Sequence, residues 1–232
     1  MLRPCTSLSV FQHRRIQLLL EHILYVWAVR HPASGYVQGI NDLLCPFIVV
    51  FLGQHVDVPS CDPDEIPQEV LEEVEADSYW CLSKLLDGIQ DNYTFAQPGI
   101  QNKVLKLKEL VLRIDAALHN HLAEQNVEFL QFAFRWMNCL LMREIPINHT
   151  IRMWDTYMAE NSDGFATFHL YVCAAFLISF SKELQVLEFH ELLVFLQDPP
   201  SKRWGSKEIE VLLSQAFLYK SLFHNAQSHL AH

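Results

Sequence analysis

One stretch between two apolar segments decides how this chain folds: Arg30-His31-Pro32-Ala33-Ser34-Gly35-Tyr36-Val37-Gln38-Gly39-Ile40-Asn41-Asp42-Leu43. Before it, apolar residues recur at helical spacing from Ile16 to Trp27, which predicts a helix over about residues 12–30. That helix is expected to stop at Pro32, because proline cannot continue the helical hydrogen bonds. A second segment, over about residues 38–53, is almost wholly apolar after Asp42, which predicts a core helix bent near Pro46. Within the stretch, residues 35–42 are therefore predicted to form a solvent-accessible bend between the two helices.

The remaining sequence also follows helical periodicity. Val104, Leu107, Val111, Ile114 and Leu118 repeat at intervals of three and four, which predicts a single amphipathic helix. Further helices are expected over about residues 69–89, 125–142, 148–159, 164–181, 188–197 and 207–223, with loops at 54–68 and 90–99. No run of alternating apolar and polar residues competes as a strand. The fold class is predicted to be all-α over residues 1–232, with a C-terminal helical lobe at about 160–225.

Composition excludes several classes of protein. The 232 residues are half hydrophobic, so they can bury a large core, and the formal net charge of −10 argues against nucleic-acid binding. Six scattered cysteines and no secretory signal indicate reduced thiols and a cytoplasmic location. The uncharged run from Gly164 to Ser181 is expected to be a core helix rather than a transmembrane segment. His119-Asn120-His121 is expected to lie at a helix end, and no metal site is predicted.

Two side chains suggest phosphoryl-transfer chemistry. The carboxamide of Gln38 could orient a water molecule, and Arg3, 35 positions earlier, could neutralise charge that develops on a phosphoryl group. The sequence contains neither GxxxxGK[ST] nor GxGxxG, so it gives no sign that the chain holds a nucleotide itself. Taken alone, a glutamine and an arginine are weak evidence, and the surrounding sequence has to carry the inference.

That surrounding sequence resembles one family. Residues 30–43 resemble the glutamine-finger block of TBC-domain Rab GTPase-activating proteins. Two later blocks, residues 134–146 (Phe134-Arg135-Trp136 through Arg143-Glu144-Ile145-Pro146) and Ile151-Arg152-Met153-Trp154-Asp155, resemble that family's RW, RE-x-P and RLWD segments. With residues 87–93 included, the chain is most similar to the member-twenty-two subgroup. The resemblance implies a multi-helix TBC domain.

The resemblance also implies roles for particular residues. Gln38 matches the glutamine finger and Arg3 the arginine finger, while Tyr36, Asn41 and Asp42 would contact the GTPase. A structural set is expected to combine buried aromatic residues with an Arg–Asp pair between helices: Arg135, Trp136, Arg143, Arg152, Trp154 and Asp155.

The implied partner is a Rab-family small GTPase that carries the GTP and Mg²⁺, so no cofactor is expected on this chain. The chain would then not be an enzyme itself but an activator in trans. It would be cytoplasmic, and the Rab would recruit it peripherally to the Golgi or another endomembrane.

The sequence departs from the family pattern at Arg3. The family's arginine normally stands in an I-x-x-D-x-x-R segment, whereas only Met1 and Leu2 precede Arg3 here. The N-terminal part of the domain is therefore expected to be missing, which would leave Arg3 poorly held and stimulation of hydrolysis weak. Two alternatives remain open: a non-catalytic Rab-binding or scaffold module, and a helical adaptor unrelated to GTPases.

Overall fold

The computed structural model describes residues 8–160 and 164–224, and every regular element in these ranges is helical. The all-α prediction is confirmed. Three short 3₁₀ segments and one π-helical turn, Gly164–Phe168, accompany the α-helices. The described α-helices, in chain order, are α1 Arg14–Arg30, α2 Ile40–Leu52, α3 Gln68–Gly88, α4 Pro98–Ile114, α5 Ala116–Glu124, α6 Leu130–Asn138, α7 Ile147–Ala159, α8 His169–Ile178, α9 Ser181–Leu184, α10 Phe189–Gln197 and α11 Ser206–Phe223.

The chain divides into two compact units, Met1–Gln97 and Pro98–His232. In the first unit, α1, α2 and α3 pack against one another. The apolar stripe of α1 from Ile16 to Trp27 is buried, as its periodicity predicts. Helix α2 runs through Pro46 as one element; most of its apolar residues are buried, whereas Val50 is exposed.

The second unit is built around α8, which packs against α4, α6 and α11. Because α8 packs directly against α4 and α6, residues 160–224 do not form a lobe of their own. The chain divides after Gln97 rather than near residue 160. The predicted amphipathic helix is two helices, since the Asp115 carboxylate accepts a hydrogen bond from the Leu118 amide and begins α5 there.

The aromatic helix expected over residues 125–142 is also shorter than predicted. Helix α6 ends at Asn138, and Leu140 and Leu141 follow with φ angles of +49° and +61°. Both leucines are fully buried in a turn. Periodicity cannot separate a buried turn from a continuing helix, because both require apolar side chains at the same positions.

The uncharged segment behaves as a core element. Nearly all residues of α8 are buried, and the preceding π-helical turn begins at Gly164. A Cβ atom at Gly164 would lie only 1.8 Å from the Tyr157 carbonyl oxygen, so only glycine allows the chain to approach α7 this closely. Within residues 8–160 and 164–224, no helix combines the length and the apolar character that crossing a membrane requires.

A buried histidine links three helices of the second unit. The His169 ring is inaccessible to solvent; its Nε2 lies 3.1 Å from the Trp136 carbonyl oxygen and its Nδ1 lies 3.0 Å from the Tyr157 hydroxyl. A carbonyl can only accept, so Nε2 carries the proton and Nδ1 accepts from Tyr157. Burial lowers the pKa of His169 to about 3. The neutral ring thus makes both of these hydrogen bonds, whereas a charged ring would be held away from water without compensation.

We expect this histidine to make the fold sensitive to acid. Unfolded, His169 regains its usual pKa of 6.5, so between pH 6.5 and 3 the unfolded chain binds the extra proton. Stability should fall with pH in this window by up to about 1.4 kcal/mol per unit from this one group. Urea denaturation between pH 7 and pH 4.5 should show a shallower pH dependence for His169→Gln than for the unaltered chain. Parallel pH profiles would contradict the prediction.

Candidate functional site

The bend between α1 and α2 is held at its beginning by His31. Its Nδ1 lies 2.8 Å from the Trp27 carbonyl oxygen, and its ring stacks on the Trp27 indole at a centroid distance of 4.5 Å. The His31 carbonyl then accepts from the backbone amides of Ser34 and Gly35. These contacts close the last turn of α1 and fix the direction in which the chain leaves it.

Two glycines with positive φ shape the rest of the bend. Gly35 has φ +60° and Gly39 has φ +113°, a region that glycine enters readily and other residues do not. The Ile40 amide donates to the Val37 carbonyl over 3.2 Å, so residues 37–40 form a turn with Gly39 in third position. A type II turn needs its positive φ at that position. Gln38 occupies the corner of this turn.

The bend presents Gln38 and Tyr36 to solvent. Gln38 is exposed, and Tyr36 is 43% exposed. A bend is therefore present and residues 35–38 are at least partly exposed, whereas residues 39–42 are buried and α2 begins at Ile40, so the exposed part of the bend is shorter than predicted. The roles of Gln38 as glutamine finger and of Tyr36 as a GTPase contact stay predictions.

Asn41 and Asp42 do not share this exposure. Asn41 is 6% exposed and Asp42 is fully buried. The Asn41 Oδ1 atom accepts from the Gly39 amide and from the Tyr36 hydroxyl, each over 3.2 Å, and its Nδ2 donates to Asp42 Oδ1 over 3.0 Å. We therefore revise their assignment as GTPase-binding residues, because these side chains face the interior and hold the bend. Arg3 lies outside the described residues.

The second motif block surrounds a buried carboxylate. Glu144 is fully buried, and its Oε1 lies 2.6 Å from both Nε and Nη2 of Arg135, whose side chain is 35% exposed. Desolvation raises the pKa of Glu144, and the Arg135 guanidinium opposes that rise. The Glu144 carbonyl accepts from the Ser201 hydroxyl, and Arg135 also donates to the Gln197 carbonyl. These contacts tie the pair to the end of α10 and to the Pro200–Arg203 segment.

The third block packs its aromatic residue and exposes its charges. Trp154 is 1% exposed, as is Trp136 in the second block, which agrees with a structural role. Arg152 pairs with Glu210 over 3.0 Å, and Asp155 is exposed. The expected Arg–Asp pair is therefore wrong: Arg135 and Arg152 both pair with glutamates. The partner of Arg135 lies within the same sequence block, whereas the partner of Arg152 comes from α11.

Glu144 is the buried residue to which the sequence assigned no role. A signal was present, since Arg143 and Glu144 interrupt an apolar run from Leu140 to Ile145, and such a run predicts burial. A buried carboxylate needs a cation, and Arg135 stands nine residues earlier. Arg143 itself is half-buried.

One group of potential metal ligands occurs in the described part of the chain: His13, Asp62 and Asp64. The His13 Nδ1 atom accepts from the Arg15 amide at the start of α1, so the neutral ring carries its proton on Nε2, which faces Asp64 at 3.4 Å. A metal ion on Nε2 would displace that proton and break the helix cap. The His119-Asn120-His121 run has other contacts, with His121 Nε2 lying 2.9 Å from the Leu187 carbonyl oxygen.

Comparison with known proteins identifies a family. The model of the Rab-GTPase-TBC domain matches residues 2–185. The GTPase-activating protein gyp1 of Schizosaccharomyces pombe is 59% identical over 231 residues, covering 98% of this chain and 45% of that protein. Human TBC1 domain family member 22B is 57% identical over 225 residues, covering 96% of this chain and 44% of that protein. The chain thus spans less than half the length of these relatives.

A solved structure supports the same family. The crystal structure of the Ypt/Rab-GAP domain of Gyp1p superimposes with a TM-score of 0.90 and 50% sequence identity, covering 94% of this chain and 70% of that chain. The resemblance to TBC-domain proteins of the member-twenty-two subgroup is confirmed.

These names correct one expectation. The chain was expected not to be an enzyme, yet the relative from S. pombe is named a GTPase-activating protein. A protein that lowers the barrier to GTP hydrolysis and is released unchanged acts as a catalyst of that reaction. The absence of a nucleotide-binding loop does not exclude a catalytic role, because catalytic groups can be supplied in trans to a nucleotide that another protein holds.

The two arginine–glutamate pairs should differ in their contribution to stability. Removing one partner of a buried pair commonly costs about 3–5 kcal/mol. Since the Arg135 side chain is 35% exposed, we expect Arg135→Met to lower the free energy of unfolding by about 2–3 kcal/mol at pH 7. The loss should be smaller at pH 5, because an unpaired Glu144 takes up a proton more readily. Urea denaturation at both pH values measures this.

Arg152→Met is the matched control. Its pair with Glu210 is exposed at both ends, 47% and 57%, so its removal should cost less than about 1 kcal/mol. Equal losses for the two variants would contradict the prediction.

Proposed function

We propose that this chain, which belongs to the Rab-GTPase-TBC domain family, accelerates GTP hydrolysis by a Rab-family small GTPase. One observation carries the proposal: an exposed glutamine stands on a braced, glycine-flanked bend, in a chain that is 59% identical to a protein named as a GTPase-activating protein. A rigid bend with an exposed carboxamide suits a group that has to enter a neighbour's active site.

The chemistry proposed for Gln38 follows from its carboxamide. The GTPase supplies GTP and Mg²⁺, and a water oxygen attacks the γ-phosphorus while the bond to the GDP oxygen breaks. The oxygen of Gln38 can accept a hydrogen bond from that water, and its NH₂ group can donate to a phosphoryl oxygen. Orienting the water in line with the leaving group lowers the barrier through positioning alone.

Arg3 would act on the charge. Its guanidinium would lie against the phosphoryl oxygens and stabilise the negative charge of the transition state, a contribution of about 10³–10⁵ in rate when the group is held in place. The family resemblance supports this assignment. We also propose that the chain works in the cytoplasm and reaches the Golgi or another endomembrane through its GTPase.

The test is single-turnover hydrolysis of GTP by a panel of Rab GTPases at saturating concentrations of the chain. Gln38→Ala should abolish most of the acceleration while changing the free energy of unfolding by less than about 1 kcal/mol, because Gln38 is exposed. Gln54→Ala, which alters another exposed glutamine of the same unit, should retain the acceleration. Arg3→Ala tests the arginine in the same assay.

Trp136→Ala should behave in the opposite way. The Trp136 indole is 1% exposed, so its truncation should destabilise the fold by about 3–5 kcal/mol. Thermal and urea denaturation of both variants measure the contrast. The proposal fails if no Rab responds to the unaltered chain, or if Gln38→Ala keeps full acceleration. Binding without acceleration would instead support a non-catalytic Rab-binding module.

A further inference from the structure

The environment of Asn41 is unusual for a residue in the first turn of a helix. Its Oδ1 atom receives two hydrogen bonds from the bend, one from the Gly39 amide and one from the Tyr36 hydroxyl. Gly39 follows Gln38 directly, and Tyr36 precedes it by two residues. A single buried oxygen therefore contacts the chain on both sides of the exposed glutamine.

The orientation of the Asn41 carboxamide is fixed by its partners. The Gly39 amide can only donate, so it must face the oxygen. The Asn41 NH₂ group in turn donates to Asp42 Oδ1, 3.0 Å away. Because Asp42 is fully buried in α2, the helix itself sets which side of the amide is turned toward the bend. A flipped amide would oppose oxygen to oxygen at Asp42.

The bond to Gly39 completes the turn. The hydrogen bond across the turn uses the Ile40 amide and the Val37 carbonyl. The Gly39 amide takes no part in it and needs an acceptor of its own. Gly39 is buried, and a buried amide without an acceptor is strongly unfavourable. The Asn41 oxygen supplies that acceptor while Gly39 holds φ +113°. The direction in which the backbone presents Gln38 thus depends on this contact.

From this geometry we infer that Asn41 is a positioning residue for Gln38, which rests on the proposed function of Gln38 in GTP hydrolysis. Asn41 acts through the backbone and does not touch the GTPase. Tyr36 contributes to this support through its hydroxyl, which donates to Asn41, although the residue as a whole is 43% exposed. The two flanking hydrogen bonds hold the glutamine where a water can be oriented.

The experiment is a double-mutant cycle in single-turnover hydrolysis, using the Rab GTPase of the panel that responds most strongly to the unaltered chain. Asn41→Ala should lower the maximal rate by about 10- to 100-fold, because a displacement of about 1 Å can cost 10²-fold. The concentration of chain giving half-maximal rate should change less than about threefold, since a positioning role spares the contact surface. In the Gln38→Ala background, Asn41→Ala should have no further effect.

Two further variants separate positioning from loss of structure. Asn92→Ala truncates another buried asparagine of the same unit, outside the bend, and should leave the maximal rate within about twofold at a temperature where the variants are folded. Tyr36→Phe removes one of the two bonds to Asn41 and should lower the maximal rate less than Asn41→Ala does.

A measurement without any GTPase tests the geometry itself. Amide hydrogen exchange followed by NMR should show faster exchange at Gly39 in Asn41→Ala, because its acceptor is gone. Unchanged exchange at Gly39 would overturn the inference. So would an equal effect of Asn41→Ala in both backgrounds, or an undiminished maximal rate while Gln38→Ala is impaired. If the unaltered chain accelerates no Rab, the proposed function fails, and the role of Asn41 in catalysis falls with it.

Discussion

Polar groups that the helices carry into an apolar interior must find partners there, and the described parts of both units are organised around this requirement. Where α2 begins, the buried Gly39 amide bonds to Asn41, which in turn bonds to Asp42. Where α6 ends, the buried Glu144 carboxylate meets Arg135. In the centre of the second unit, neutral His169 joins Tyr157 to the Trp136 carbonyl. Each contact has a definite direction, so it fixes geometry that apolar packing alone would leave free.

The same requirement explains how a candidate catalytic group can be exposed and yet well placed. An exposed side chain on a mobile loop would lose much of its effect, because orientation has to be achieved at every encounter. Here two glycines with positive φ turn the chain, and the buried polar groups beneath them hold that turn. In the proposed reaction the exposed glutamine would supply the chemistry, and the buried polar groups would hold it in position.

The contribution of an ion pair to the stability of this chain depends on its burial rather than on how many such pairs there are. Arg135 and Arg152 belong to neighbouring sequence blocks and both bind glutamates, yet only the first glutamate is withdrawn from water. Coulombic attraction is weak where solvent reaches both partners and strong where it cannot. The contribution of each of these arginines to stability therefore depends on how deeply the fold buries its glutamate partner.

Sequence patterns were sufficient to predict the helical class, most helix positions, a bend between α1 and α2, and the family. Helical periodicity and helix-breaking prolines are local signals, so they can be recognised in the sequence without knowledge of the fold. Helix packing determines which polar residues are buried: Asn41 and Asp42 lie within the predicted solvent-accessible bend, yet they face inward. The structure also shows that Asp115 caps a separate helix α5, that Leu140 and Leu141 form a turn, and that Arg152 pairs with Glu210. Burial and the Arg152–Glu210 pair depend on segments distant in sequence that meet only when the chain has packed, so local sequence patterns cannot predict them.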